Sequence, residues 1–285
     1  MEKRTLGKTG HKSTLITLGG AIFVYPVESE GDEFVRFALD HGVNHVDVAP
    51  SYGNAEIRLG KWVQEYRRSL FLACKTKERT KKGAAEELAR SLKRLRTDYF
   101  DLYQLHALDD PAELRVAMGE DGAIRAILEA REQGLVKHIG ITSHNPENIM
   151  RALELFDFDT VLLPVNYVLH AHPEPKNDYE PVLALAKKRK LGVMAMKSIA
   201  KGSWPTQEKT HNTWYLPFAT QREVDEALRF TLSQSVTTAT SSSDIRIARM
   251  MIDAAERYTP MDKEEQRALA SGASTYRPLF PRAQT

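Results

Sequence analysis

Eight short, almost continuously apolar runs are spread along the 285 residues of the chain, and amphipathic segments separate them. Runs of this kind are typical of parallel strands that helices cover on both faces, whereas alternating apolar and polar residues indicate half-exposed strands. The predicted strands cover residues 14–18, 45–49, 70–75, 100–106, 138–143, 160–166, 192–197 and 236–241. Eight strand–helix units in a chain near the usual length of about 250 residues predict a (β/α)8 TIM barrel, with residues 1–285 as one domain.

A doubly wound α/β sheet is the alternative fold for the same alternation of strands and helices. Such a sheet that binds a dinucleotide carries Gly-x-Gly-x-x-Gly after its first strand. Gly19 and Gly20 are the nearest approach to that pattern, and they fall short of it. The sequence therefore favours the barrel.

Composition limits the partners of the chain. Lys and Arg number 40 against 38 Asp and Glu, a net charge of +2 that gives no general case for nucleic acid. No apolar run approaches the roughly 20 residues that span a bilayer, and the polar start of the chain lacks the apolar core of a signal peptide. We therefore expect a cytoplasmic location. The single cysteine, Cys74, excludes an internal disulfide framework and a Cys-rich metal centre, and we predict no metal site. The oligomeric state cannot be read from the sequence.

Three consecutive predicted strands end in residues that can carry chemistry. The second strand contains Asp47 and is followed by Tyr52, the third ends at Lys75, and the fourth ends at His106. Each residue alone has an ordinary structural explanation, such as a loop contact or a core histidine. In a barrel, however, the carboxyl ends of the strands meet at one face, where active sites lie. The four side chains are therefore expected to meet.

Together the four groups suit the reduction of a carbonyl. A phenol titrates near pH 10, and a neighbouring ammonium lowers its pKa, so Lys75 is expected to make Tyr52 a better proton donor. Asp47 would hold that ammonium in place, and His106 could hydrogen-bond the carbonyl oxygen. Such a set can protonate the oxygen while a hydride reaches the carbon.

Four segments resemble landmarks of the aldo-keto reductases, in the order in which that family has them. Residues 42–60 look like its first motif and residues 91–106 like its second. Residues 4–10 match its opening hairpin, and residues 133–143 match the stretch that leads into its fifth strand. The resemblance implies a barrel with an N-terminal β-hairpin and the catalytic residues Asp47, Tyr52, Lys75 and His106.

The resemblance also implies an extended nicotinamide cofactor bound without a Rossmann domain. The cofactor-binding positions that it indicates are Gly20, Ala21, Asp47, Thr142, Ser143, Met196, Lys197, Ser241, Ser242 and Arg246. Thr142 and Ser143 match the pair that holds the carboxamide, and Met196 and Lys197 match the place where an aromatic side chain often stacks on the nicotinamide. The family's carboxamide-binding glutamine falls at Leu162, so that contact is lost or replaced.

The preference between the two nicotinamide cofactors is weakly marked. Residues 236–243 lack the basic or glycine-rich phosphate motif that is usual in the family. Arg246 and Arg249 lie near the start of the following helix and could pair with a 2′-phosphate, although ordinary surface arginines would look the same. We expect NADP(H) rather than NAD(H).

Aromatic residues in the predicted loops indicate a partly apolar site for a small carbonyl substrate. The candidate substrate-binding residues are Phe23, Tyr25, Trp204 and Trp214. The last two belong to the long irregular segment 200–220, which follows the seventh strand and would lie at the active face. The C-terminal stretch 271–285 is expected to fold over the barrel mouth.

Two other functions stay open at the level of the sequence. Barrels of this family also serve as nicotinamide-binding sensor subunits of channels, and intact catalytic residues do not exclude that role. A lyase that forms a Schiff base on Lys75 is the third hypothesis.

Overall fold

The structure is a computed structural model that describes residues 1–25 and 27–280. Its strands within these ranges are β1 (Lys3–Thr5), β2 (Lys12–Thr14), β3 (Ile16–Gly19), β4 (His45–Asp47), β5 (Phe71–Thr76), β6 (Phe100–Leu105), β7 (Val136–Thr142), β8 (Thr160–Pro164), β9 (Gly192–Met196), β10 (Ala200–Gly202), β11 (Leu216–Pro217) and β12 (Thr238–Thr240). Its helices in the same ranges are α1 (Glu28–Asp40), α2 (Ala55–Tyr66), α3 (Lys81–Leu95), α4 (Pro111–Met118), α5 (Ala123–Glu132), α6 (Pro146–Leu155), α7 (Tyr167–Ala171), α8 (Glu180–Arg189), α9 (Gln221–Leu232), α10 (Ile245–Glu256) and α11 (Lys263–Gly272).

Within the described part of the chain, eight parallel strands close into a barrel in the order β12-β3-β4-β5-β6-β7-β8-β9. All eight predicted strands are confirmed, and the (β/α)8 fold with them. The register pairs Gly19 with Asp47 and Lys75 with Gln104. Neighbouring strands therefore end at the same level, which brings their carboxyl-terminal side chains to one mouth.

Local sequence signals fix where helices begin at this mouth. The side chain of Thr220 accepts a hydrogen bond from the backbone of Glu223, whose own side chain reaches back to Thr220, and α9 starts there as a capping box. Asp244 caps α10 by accepting from the backbone N–H groups of Arg246 and Ile247. A side-chain cap satisfies backbone donors that a helix start would otherwise leave without partners.

The opposite end of the barrel is closed by the antiparallel hairpin of β1 and β2, as predicted. Leu6, between the two strands, is fully buried against Phe71 and Leu102 inside the barrel. Burial of one leucine contributes about 1.5–3 kcal/mol. Gly7 has φ +49° and lies so close to Gly192 that a Cβ atom would come within 2.1 Å of the Gly192 nitrogen. This closed end of the barrel, its floor, therefore depends on glycine at position 7 and on the apolar contacts of Leu6.

The C-terminal tail lies over the mouth, as the sequence predicts. After α11, Tyr276 packs on Phe218 with ring centroids 5.9 Å apart. Phe280 contacts Trp214 and His144 at centroid distances of 6.0 and 5.1 Å. The remainder of the predicted tail, residues 281–285, lies outside the described residues. No helix in the described ranges has the length and apolar character to span a membrane.

Candidate active site

An ion pair between Asp47 and Lys75 lies at the centre of the mouth. Both side chains are buried, and the Lys75 Nζ atom is 2.5 Å from Asp47 Oδ2. The Gln104 amide donates to the other carboxylate oxygen, Oδ1, at 2.9 Å. Burial is the largest single influence on Lys75 and would lower its pKa. The charge and hydrogen bonds of Asp47 and Tyr52 together outweigh burial, and the pKa of Lys75 is raised above its ordinary value. Lys75 is therefore an ammonium at neutral pH.

Tyr52 completes a chain of hydrogen bonds with this pair. Lys75 Nζ donates to the Tyr52 hydroxyl oxygen at 3.2 Å and lies 4.8 Å from the centre of the ring. The expected lowering of the Tyr52 pKa is wrong. Burial raises the pKa of Tyr52 by more than the charge of Lys75 lowers it, so its net shift is upward. Tyr52 is therefore a protonated phenol at neutral pH.

His106 contacts Tyr52 through the ring. The two rings meet edge to face with centroids 5.7 Å apart. Burial, followed by the charge of Lys75, lowers the pKa of His106 well below its ordinary value, so the imidazole is neutral. Its Nδ1 atom is buried and has no hydrogen-bond partner among the described residues. A neutral imidazole can donate one hydrogen bond but supplies no second charge beside Lys75.

A cleft of about 220 Å³ opens beside Tyr52. Its lining combines the charged side chains of Asp47 and Lys197 with aromatic and apolar ones such as Trp214. Its lining brings together these residues that the sequence singled out for catalysis, cofactor or substrate: Ala21, Tyr25, Asp47, Tyr52, Met196, Lys197, Trp214 and Ser241. Their roles stay predictions, but the shared location is a fact of the fold.

Leu162 also lines this cleft, at the position where the family's glutamine is missing. It is buried and packs with Met194 and Met196 in the apolar interior of the barrel. Leu162 therefore presents an apolar side chain where the family has an amide.

Several predicted residues lie away from the lining of this cleft. His106 lines a separate cleft together with Pro50 and Lys77. Phe23 is buried in the core, where its ring lies under the guanidinium of Arg58 at 5.7 Å. The Trp204 Nε1 atom donates to the Thr213 carbonyl oxygen at 3.0 Å. Gly20 is buried against Val48. The aromatic content of the loops did not distinguish the residues that face the cleft from those that hold the loops in place.

Thr142 and Ser143, predicted for the carboxamide, are engaged with the loop that follows β6. The Ala107 N–H donates to Thr142 Oγ1 at 2.8 Å, and Ser143 Oγ donates to Asp109 Oδ1 at 2.7 Å. Ala107 has φ +50°, so this loop is held in an unfavourable conformation by such contacts. Both hydroxyl groups thus position the segment next to His106.

Ser241, Ser242 and Arg246 also make internal contacts. The Gly19 N–H donates to Ser241 Oγ at 2.9 Å, and the Asp244 N–H donates to Ser242 Oγ at 3.1 Å. Arg246 Nη2 donates to Asp244 Oδ2 at 2.8 Å. Arg246 lines a second cleft of about 460 Å³, whose lining residues are Val27, Glu30, Glu33, Asn212, Asp244, Ile245, Arg246 and Arg249.

Gln104 is a site residue that sequence reasoning missed, and it holds Asp47. A buried glutamine in a strand that is otherwise mainly apolar is itself a signal, because such a group requires partners inside the barrel. Gln104 also lies two residues before His106, which places both on the same face of the strand. Tyr215, which the sequence indicates only as one of the aromatic residues of the long loop, lines the cleft beside Trp214.

The fold and the site together define a (β/α)8 barrel whose mouth joins a buried Asp–Lys pair to a tyrosine and a histidine. Residues 16–237 match the family model described as the Aldo/keto reductase family, and the chain belongs to that family. Among curated proteins, aldo-keto reductase YhdN of Bacillus subtilis is 28% identical over 221 residues. The match covers 71% of this chain and 63% of YhdN, which is less than two thirds of that relative's length.

Solved structures of the family share the barrel. The holo form of aldo-keto reductase AKR11C1 from Bacillus halodurans has a TM-score of 0.75 and 23% identity, over 99% of both chains. The Bombyx mori aldo-keto reductase AKR2E4 in complex with NADP has a TM-score of 0.70 and 20% identity, over 95% of this chain and 93% of that one. At such identities the likeness concerns the fold.

Proposed function

We propose that this protein is a nicotinamide-dependent oxidoreductase that reduces an aldehyde or ketone, or catalyses the reverse oxidation of the alcohol. The carrying observation is the continuous contact of Asp47, Lys75 and Tyr52 beside an open cleft. Membership of the Aldo/keto reductase family supports the same activity.

In the proposed reaction Tyr52 donates the proton. Its raised pKa keeps the hydroxyl protonated before reaction, and a carbonyl oxygen that gains negative charge would draw that proton. The phenolate left behind would be stabilised by the ammonium of Lys75, which Asp47 keeps charged. His106, neutral and in contact with Tyr52, would orient the oxygen by a hydrogen bond. The bound nicotinamide supplies the hydride.

We propose that this cleft holds the nicotinamide ring. Met196 offers a polarizable surface at the wall, and Tyr52 and Asp47 lie on the same cleft. The second cleft, beside α10, would receive the other end of an extended dinucleotide. A relative of the same fold from Bombyx mori is in complex with NADP, which supports this class of cofactor.

We further propose that NADP(H) is preferred over NAD(H). Arg246 and Arg249 line the second cleft, and Asp244 fixes the guanidinium of Arg246. Glu30 and Glu33 line it as well and oppose a 2′-phosphate. We therefore expect a modest preference, on the order of tenfold in Kd, equivalent to about 1.4 kcal/mol. Fluorescence titration of NADPH and NADH should show this ratio, and Arg246→Ala should reduce it. Equal ratios in both proteins would remove Arg246 from the assignment.

The direct test of the activity follows NADPH absorbance with a panel of aldehydes, ketones and quinones. Tyr52→Phe should lower the rate by roughly 10²–10⁴-fold, because the general acid is removed. Tyr99→Phe is the matched control, since Tyr99 precedes β6 at the far end of the barrel and its ring packs against Arg67. Equal rates in wild type and Tyr52→Phe would disprove the assigned role of Tyr52.

The two alternative functions predict other outcomes. A nicotinamide-binding sensor subunit would bind NADPH in both proteins and turn over none of the panel. A Schiff-base lyase requires Lys75 as a free amine, but Asp47 holds it as a buried ammonium, which argues against this chemistry. Borohydride should therefore fail to trap a substrate on Lys75.

A further inference from the structure

A second lysine, Lys197, lines the cleft opposite the catalytic pair. It follows β9 directly, and β9 and β5 are separated by four positions around the eight-stranded barrel. Among the described residues no carboxylate lies within ion-pair distance of Lys197. Its Nζ atom lies instead over two aromatic rings, 5.1 Å from the centre of Trp214 and 5.6 Å from that of Tyr215. Lys197 is thus an ammonium without a counter-ion at a ligand-sized opening.

The backbone holds this lysine in an unfavourable conformation. Lys197 has φ +60°, a left-handed value that is unfavourable for a residue other than glycine. Its carbonyl oxygen accepts hydrogen bonds from the buried side chain of Asn166 and from the Ala200 N–H, each at 3.0 Å. These contacts fix the turn that directs the side chain along the cleft wall. Strain that the surroundings maintain is typical of ligand-binding positions.

The charges around the cleft leave Lys197 uncompensated. The titratable groups that face it from other elements are Tyr25 before α1, Asp47 on β4, Tyr52 in the loop before α2, Lys75 on β5 and Tyr215 before β11. Asp47 and Lys75 neutralise each other, and the three tyrosines are uncharged at neutral pH, because their pKa values are raised. The net charge of this wall is therefore that of Lys197. An anion placed there would gain the attraction without competition from a protein carboxylate.

We propose that Lys197 binds an anionic group of the substrate, so that the protein selects carbonyl compounds that carry a carboxylate or a phosphate. The inference rests on the reductase function proposed above and specifies its substrate class. Burial, followed by the charge of Lys75, lowers the pKa of Lys197 to about 8, as expected for an ammonium that lacks its partner. The rings of Trp214 and Tyr215 would then hold the apolar part of the same molecule.

The same oxyanion chemistry has a second source, because the cofactor itself carries phosphates. If Lys197 binds the substrate, its substitution changes the selectivity between charged and neutral aldehydes. If Lys197 binds the cofactor, its substitution changes the Kd of NADPH and leaves that selectivity unaltered. The experiment therefore measures both quantities.

The probes are 4-carboxybenzaldehyde and its methyl ester, which differ in charge and share the reacting group. The readout is the ratio of their kcat/KM values in wild type and in Lys197→Met. We expect the ratio to favour the carboxylate in wild type and to fall by roughly tenfold or more in the variant, since a hydrogen bond to a charged group is lost. Lys197→Arg should keep most of the preference, because it keeps the charge.

Lys201→Met is the matched control. Lys201 lies in the same loop and also packs over aromatic rings, 5.6 Å from Phe218 and 5.2 Å from Tyr276, but Glu223 lies 3.8 Å away as its partner. Its removal should leave the ratio unchanged. If Lys197→Met does not fold, Lys197→Asn replaces it, because asparagine tolerates the left-handed conformation.

Three results would overturn the proposal. The wild type does not favour the carboxylate, or Lys197→Met has the same ratio of kcat/KM values as the wild type. The third is that Lys197→Met weakens only the binding of NADPH. Calorimetry separates failure of this proposal from failure of the reductase function. With NADP⁺ bound, the protein cannot reduce 4-carboxybenzaldehyde, so binding is measured without turnover. Binding of the carboxylate that is lost in Lys197→Met supports the anion site even if no rate is detected. Equal binding of both compounds contradicts it.

Discussion

Two lysines on opposite walls of the mouth show how the same side chain acquires opposite properties. Lys75, at the end of β5, has Asp47 as a partner, and its pKa is raised despite complete burial. Lys197, just after β9, has no carboxylate partner among the residues that the structure describes, and its pKa is lowered to about 8. Burial acts in the same direction on both, so the difference comes from the counter-ion. The wall that contains Lys75 and Asp47, the paired wall, is suited to catalysis. The wall that contains Lys197, the unpaired wall, is suited to binding an anion from outside the protein.

The largest expected effect comes from breaking the paired wall. Lys75→Met leaves Asp47 buried without its counter-ion and should lower the free energy of unfolding by about 3–5 kcal/mol, measured by urea denaturation. Because the pKa of Lys75 is raised in the folded state, its contribution is complete below pH 10.5 and is lost only as the pH rises through the folded value. The loss should therefore be constant between about pH 6 and about pH 9.

The exposed Lys93 on α3 provides the control, and Lys93→Met should change stability little. In a double-mutant cycle, Asp47→Asn combined with Lys75→Met should cost less than the sum of the single changes. Additive effects would mean that the two side chains are not coupled.

A smaller effect is expected from the residue that orients the pair. Gln104→Leu removes the donor to Asp47 Oδ1 and should lower the free energy of unfolding by about 2 kcal/mol. As a positioning residue, Gln104 should affect kcat more than the Kd of NADPH and should shift the upper limb of the pH–rate profile that reports Tyr52. Gln64→Leu, at an exposed position on α2, is the comparison. Unchanged kcat and pH profile in Gln104→Leu would show that Asp47 keeps its place without this amide.

The smallest effect has the opposite sign and concerns the unpaired wall. At pH 7 Lys197 is charged in both folded and unfolded states, and the folded state carries the cost of that charge. Because the side chain is partly exposed, solvent reduces the cost of its charge. Lys197→Met should therefore stabilise the protein by about 1 kcal/mol.

The pH dependence checks this sign. Between pH 8 and pH 10.5 the unfolded chain holds the Lys197 proton more tightly than the folded protein, so the stability of the wild type rises relative to the variant. The advantage of Lys197→Met should therefore shrink across this window. A stability difference that does not vary with pH would place its origin in packing, and not in the charge.

The strands and the meeting of Asp47, Tyr52 and Lys75 were predictable from the sequence for one physical reason. Parallel strands covered on both faces must be apolar throughout, so each appears as an apolar run, and polar residues at the ends of the runs reach a common mouth. The resemblance of residues 42–60 and 91–106 to family motifs then indicated which polar residues to group. Gln104 lies within the second of these segments, and its contact with Asp47 depends on the pairing of β5 with both β4 and β6.

Other properties depend on distances that the sequence does not contain. The pKa of Tyr52 follows from the balance of burial against the charge of Lys75, and the sign of that balance required the structure. The contacts of Thr142 and Ser143 with the loop after β6 were equally hidden, because they join residues about 35 positions apart. The lack of a partner for Lys197 is likewise a property of its surroundings.

The close approach of Gly7 to Gly192 has a consequence for how the chain acquires its structure. During synthesis the first residues emerge long before the ninth strand exists, so the hairpin cannot dock on its final surface until most of the chain has been made. Contacts between residues so far apart in sequence slow folding, because a large loop must close before they form. Until then Leu6 and the apolar interior that it covers are exposed to other chains. The seal of the floor is thus a late event in the life of each molecule, and this end of the barrel is where an incompletely folded chain would be most prone to aggregate.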